Sequence, residues 1–292
     1  MKNIGGQAVI EGVMMKSPGS WTVAVRDQSG NIHLKKEKLK PTPRFLKLPI
    51  IRGVVALFQA LSIGIRAIEF SAGKAYSEET EEKLNGFSMV LTILVSILLS
   101  IGLFILLPLY ATKLLGVVIH GVSKSSFIFN ITDGIIRVMI FIFYVIAIGF
   151  WKEMARIFMY HGAEHKVIHA YEEGRELSVA GVKEFSTRHP RCGTSFLMIV
   201  MVVSILVFSF IPQQWPFVYK FLSRIILIPL IAGSSFEFLK LSAKWQHNAI
   251  MHAMIVPGLM LQRLTTREPD DSQIEVALAA LSEVIRLEEE NA

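Results

Sequence analysis

Charge is scarce in this 292-residue chain, 18% of residues against 52% hydrophobic, and that balance excludes an intrinsically disordered protein. Cysteine is scarcer still. The single thiol, Cys192, permits no internal disulfide and no paired-cysteine zinc ribbon, so it is either a small apolar residue or a lone ligand. No serine stands in a G-x-S-x-G elbow, which argues against a nucleophilic triad on an α/β-hydrolase scaffold. Ile4-Gly5-Gly6-Gln7 is too short a glycine run to cradle phosphate. There is no internal repeat, no low-complexity segment, and no apolar core in the first 20 residues of the kind a cleavable signal peptide needs.

What is present is apolar and concentrated in long runs. Asn85 to Thr112 is 28 residues without a charge, more than the roughly 20 needed to cross a hydrocarbon core. Gly134 to Trp151 is a second run, with Arg137 near its start placed to snorkel. A third, Cys192 to Tyr219, predicts a helix from about Thr194 with Pro212, Trp215 and Tyr219 at its interfacial end. The fourth runs from Phe221 to Phe236 and is closed by Glu237, Lys240 and Lys244. Four crossings put both ends on one side. Of the 30 Lys and Arg residues, 13 precede Asn85, 7 lie between Lys152 and Arg191, and 5 follow Glu237. By the positive-inside rule these segments are cytoplasmic. The net charge of +6 is therefore ascribed to loops, since nothing here resembles a nucleic-acid-binding module and no specific nucleic acid sequence is expected as a partner.

Two apolar stretches are shorter. Gly53 to Ile65 is 13 residues, and Arg52, Gln59, Ser62, Arg66 and Glu69 form one polar stripe at helical spacing. That pattern suits an amphipathic helix in the membrane interface or, equally, a core helix beneath a cytosolic domain. Ala249 to Leu261 is broken by Pro257 and Gly258 and reads as a re-entrant segment. At the N-terminal end, Asp27 to Asn31 is a turn signal between Trp21–Arg26 and Ile32–Leu39, hence a β-hairpin. At the other end, Ser272 and Glu275 have capping-box spacing ahead of a stripe of Ile274, Ala277, Leu278, Leu281 and Ile285. The expected organisation is a mainly α, polytopic membrane protein. Residues 1–48 form a cytosolic β unit, 49–84 an interfacial helix, 85–264 the transmembrane domain with a His-rich cytosolic loop at 152–191, and 265–292 a cytosolic helix.

Six of eight histidines fall between positions 161 and 252. His161, Glu164 and His165 form H-x-x-E-H, which on a helix offers two metal ligands on one face and a carboxylate to act as general base. His169 lies roughly 12 Å along the axis from His161, too far to share one ion with it. His189 and Cys192, three apart at the mouth of the third run, could complete a shell, as could Glu237. His247 and His252 are five apart and would need a break in a helix to act together. Each has a plain alternative, an interfacial hydrogen-bonding group or, for Glu237, an ion pair with Lys240 or Lys244.

GGQAVIEGVMM at 5–15, YHGAEHK at 160–166, HPRCGTSF at 189–196 and TTREP at 265–269 resemble the YqhQ-like family of bacterial multipass proteins, a domain of unknown function described as a predicted metal-dependent enzyme. The resemblance implies a bacterial inner-membrane setting. It also adds Gln7, Glu11, Arg267 and Glu268 to the polar residues that converge on the site. The expectation is a hydrolase using a divalent metal, zinc by preference, with His161 and His165 as ligands, His189, Glu237 or His169 completing the shell and Glu164 as base, acting on membrane lipids or a membrane-protein substrate. The alternative is a non-catalytic scaffold or biogenesis factor meeting a translocon or ribosome. An ion transporter is disfavoured, because the middles of the first three runs carry almost no charge.

Overall fold

Alternating apolar residues near the N terminus build a sheet buried on both faces. In the computed structural model, which describes residues 4–76, 86–212, 214–244 and 249–290, β1 (Gly5–Val9), β2 (Gly12–Lys16), β3 (Ser20–Arg26) and β4 (Ile32–Lys38) form an antiparallel meander in sequence order. The expected β3–β4 hairpin is present, with Arg26 opposite Ile32. β1 and β2 double it. Val13, Met15 and Ala24 face one side, and Val9, Met14, Val23 and Val25 face the other, the period-2 pattern of a strand.

The second of those faces is covered by α1 (Ile51–Ala75), whose Ile63 and Ala67 are buried against it. The helix is 25 residues, inside the 49–84 segment expected to be helical, and it is long and apolar enough to be a candidate span. Its polar stripe also has protein partners: Arg52 pairs with Glu237, Gln59 with Thr42, and Arg66 with Glu37. That arrangement matches the core-helix alternative.

The apolar runs become α2 (Gly86–Ile101), continuing through a π turn into α3 (Leu107–Val118), then the short α4 (His120–Ser123) and α5 (Ser126–Ile148). Residues 152–191, the His-rich connection, are largely helical, as the H-x-x-E-H spacing requires. They form α6 (Lys152–Glu172) and the short α7 (Val179–Lys183). The third run yields α8 (Gly193–Phe208), only 16 residues. The fourth divides into α9 (Phe217–Ile226) and α10 (Ile228–Lys244), bent by 43°. Among the described residues three helices are long and apolar enough to cross a membrane, or four if the bent pair counts as one.

α11 (Ala249–Thr265) runs through Pro257 without the expected break. Gly258 lets it lie directly on Ser195 of α8, where a Cβ would come within 2.7 Å of the Ser195 Cα. α12 (Asp271–Glu290) is the amphipathic helix expected of the tail, but its capping box is two residues earlier: Asp270 Oδ1 accepts from Gln273 N at 2.9 Å, and Gln273 Oε1 accepts from Asp270 N at 3.0 Å. Reciprocal bonds of this kind satisfy two orphan donors at a helix start. α12 lies on the sheet face that carries Val13, Met15 and Ala24, and α6 packs beside it.

Candidate metal centre

α6 is amphipathic in an unusual sense, since Gly162 to Ile168 are all buried, Glu164, His165 and Lys166 among them. Gly162 explains the placement of the next chain segment. A Cβ there would sit 2.1 Å from the Arg267 carbonyl oxygen, so only glycine allows residues 265–267 to cross the helix. The crossing brings the Thr265 carbonyl to His161, where it accepts from Nδ1 at 2.8 Å. On the opposite flank the Thr187 carbonyl accepts from His165 Nδ1 at 2.6 Å.

These two bonds fix the tautomers. A carbonyl can only accept, so both Nδ1 atoms carry the proton and both Nε2 atoms present a lone pair. His161 Nε2 lies 3.2 Å from Cys192 Sγ. His165 Nε2 is buried without a hydrogen-bond partner. Together with Cys192 Sγ these donor atoms all lie within 4.8 Å of one another. Cys192 sits at the N-cap of α8, where its sulfur accepts from Thr194 N at 3.4 Å. Two imidazole nitrogens and one sulfur, with both imidazoles oriented by backbone carbonyls, form a three-donor group of the kind that can hold a metal ion.

Glu164 stands beside this group, 5% exposed, and its Oε2 has no partner. Burial pushes its carboxyl above the ordinary range, against the pull of His161, His189 and the Gly6 amide. Gly6 packs directly on that side chain, where a Cβ would come within 2.9 Å. Burial lowers His165, with the Cys192 sulfur opposing. It lowers His169 and His189 as well, toward the neutral form of the ring that binds metal.

The remaining expected ligands are placed elsewhere. His189 accepts from Arg191 N at Nδ1 and meets Glu172 at Nε2, 3.3 Å away, so both its nitrogens are engaged. His169 Nε2 donates to the Arg188 carbonyl at 2.9 Å, and its ring stacks on Phe185 and crosses His189. Glu237 is held by the Arg52 guanidinium and by the Ile50 amide. Neither His189 nor Glu237 belongs to the donor group. His247 lies outside the described residues, as does the side chain of His252.

The residues added by resemblance are mostly clamps. Glu11 occupies the two-residue turn between β1 and β2 at φ 49°, a left-handed conformation costing a non-glycine residue about 1–2 kcal/mol. Arg156 pairs with its carboxylate and Tyr160 donates to it at 3.2 Å, tying the turn to α6. Arg267 donates to the Gly149 carbonyl at 2.5 Å, and Glu268 pairs with the buried Lys166 at 2.6 Å. Gln7 lies against Gly64 of α1 and lines a cavity of about 530 Å³ between the sheet, α1 and α8. Gly6 and Gly193 bring that cavity to the edge of the donor group, and Lys16 and Arg191 line it. The Thr187 and Thr265 carbonyls could not be foreseen, because a backbone acceptor leaves no mark on residue type.

Residues 48–287 match the family described as "Protein of unknown function (DUF1385)". The chain is 33% identical over 303 residues to the uncharacterized protein YqhQ of Bacillus subtilis (strain 168), covering 97% of this chain and 92% of that one. No solved structure matches the chain.

Proposed function

We propose that this chain, which belongs to the DUF1385 family of proteins of unknown function, is a metal-dependent hydrolase working at the cytoplasmic face of a bacterial inner membrane. The observation that carries the reading is the convergence of His161 Nε2, His165 Nε2 and Cys192 Sγ within 4.8 Å. The buried, unpartnered His165 Nε2 and Glu164 Oε2 fit a cation beside them, and the imidazole–thiolate set favours zinc. Such an ion, when bound, polarises a carbonyl or phosphoryl oxygen and acidifies water.

The chain's own groups do the rest. His161 and His165 are held in register by the Thr265 and Thr187 carbonyls. Glu164, with its raised proton affinity, takes the proton of the attacking water and returns it to the leaving group, the task of a general base poised toward neutrality. The adjoining cavity, apolar over most of its wall with Lys16 and Arg191 at its polar part, suits an acyl chain or an apolar peptide segment with an acidic group. The cytoplasmic side follows from 25 of the 30 Lys and Arg residues lying in segments on one face.

The 3.2 Å approach of His161 Nε2 to Cys192 Sγ also supports a thiol hydrolase with Cys192 as nucleophile. That reading leaves His165 Nε2 and Glu164 without a task, so the metal reading is preferred. Metal analysis of purified protein separates them. One divalent ion per chain is expected, lost in His165→Ala and kept in Glu164→Gln, while hydrolysis of a lipid or peptide ester is lost in both. Metal-free protein whose hydrolysis resists chelators and vanishes in Cys192→Ser would establish the thiol reading. Protein with neither metal nor hydrolysis would leave a scaffold or biogenesis factor.

A further inference from the structure

The helical bundle carries a second concentration of polar groups, which the histidine site does not use. Cys192 and Phe208 mark opposite ends of α8, and its 16 residues separate them by about 24 Å at 1.5 Å per residue. Around Phe208, Asp133 of α5 accepts from Arg137 at 2.6 Å and from Arg224 of α9 at 2.9 Å. Both guanidinium groups lie over the Phe208 ring, 5.1 and 5.3 Å from its centroid. Asp133 and Arg224 have side chains only 1% exposed. Two arginines on one carboxylate leave a positive charge over.

That excess continues outward. Arg224 donates to the Lys220 carbonyl at 3.2 Å, and the Lys220 ammonium sits 4.6 Å over the Phe129 ring. Lys220 and Lys113 of α3 line one cavity of about 270 Å³. Among the described residues no carboxylate pairs with either lysine. Four cations thus share a single acid at one end of the bundle. Trp215 walls this cavity and also a neighbouring groove of about 1220 Å³ along α8 and α9, lined by Phe210, Leu222, Ile226 and Leu230 among other apolar side chains.

Cations within apolar helices are costly unless an anion meets them, and basic pockets between such helices accept phospholipid head groups. Trp215 and Tyr219, in edge contact at 6.4 Å, are the residues that settle at headgroup depth. We propose that this end of the bundle binds one anionic phospholipid, its phosphate between Lys113 and Lys220 and an acyl chain in the groove beyond Trp215. The shared Trp215 wall is what favours a lipid over free phosphate, because a free anion would use the cavity and ignore the groove.

Native mass spectrometry of the full-length protein in mild detergent tests this, with phosphatidylglycerol and phosphatidylcholine of identical acyl chains as probes. Wild type should retain phosphatidylglycerol at least tenfold better, with millimolar inorganic phosphate failing to displace it. Lys113→Ala with Lys220→Ala should bring the two lipids near parity. Lys113 is exposed, so Lys113→Gln alone leaves the fold undisturbed and should cut the preference at least threefold. Ile226→Trp, which fills the groove and keeps both lysines, should lower retention of phosphatidylglycerol. Equal retention of both lipids by wild type, an unchanged preference in Lys113→Gln, or displacement by inorganic phosphate would each overturn the proposal.

Discussion

Gly162→Ala is the most searching single substitution, because one methyl group tests the link between the fold and the donor set. The added Cβ would lie 2.1 Å from the Arg267 carbonyl oxygen and 3.3 Å from Thr187 Cγ2, so roughly an ångström must open before the contact becomes tolerable. Alanine gains about 1 kcal/mol of helix propensity over glycine. Against that, overpacking costs about 1–3 kcal/mol, at the upper end here because the opposing atom is backbone. The shift also pulls the Thr265 carbonyl from His161 Nδ1, now 2.8 Å away, a bond worth about 0.5–1.5 kcal/mol. The expected net loss is about 2–3 kcal/mol. Freed from its carbonyl, His161 loses its fixed tautomer, and metal affinity should fall about 10–100-fold, as for other outer-shell changes. Unfolding in detergent gives the first quantity, and competition with a zinc chelator gives the second. Gly73→Ala is the control: a helical glycine with nothing within 4 Å of its added Cβ, expected to leave affinity unchanged. If Gly162→Ala melts and binds zinc like wild type, or if Gly73→Ala weakens zinc equally, the proposed coupling is refuted.

Three further outcomes are expected. His189→Ala should keep its metal while melting lower, since both ring nitrogens already serve Arg191 and Glu172; metal loss in that variant would return His189 to the ligand set. Asp133→Asn, which strips Arg137 and Arg224 of their shared carboxylate, should cost about 3–5 kcal/mol, and unaltered unfolding would mean the pair contributes nothing. Glu283 is held down to about 2 by Arg286 and Lys36, below the roughly 4.3 of an unfolded glutamate. Its stabilisation is therefore complete above that value and drains away as pH falls toward 2. The melting-temperature gap between wild type and Glu283→Gln should narrow over that window, and a gap independent of pH would contradict the pairing.

Much of this was readable from residue types. Charge-free runs announced the apolar helices, and H-x-x-E-H put two imidazoles on one face of α6. The tail stripe named Ile274, Ala277 and Leu281, all buried in the core. What escaped reading depended on distant partners. β1 and β2 were missed as strands because both faces of the sheet are covered, which blurs polar alternation. α1 was not counted among the membrane runs because Arg66 and Glu69 interrupt its apolar stretch, and Arg66 pairs with Glu37, 29 positions away. Glu237 looked available until Arg52 claimed it from another helix. The third donor was visible only as one option among several, since nothing local says that Cys192, 31 positions from His161, returns to it.

The covered sheet has a bearing on how the protein is made. Thr22 donates to the Ala280 carbonyl and Ser17 to Glu288, contacts spanning 258 and 271 positions. A ribosome adding about 5–20 residues per second leaves the first strands waiting about 13–50 s for the helix that seals them. During that interval the nascent chain shows an uncapped apolar ledge, and the sheet is sealed only once α12 has left the ribosome.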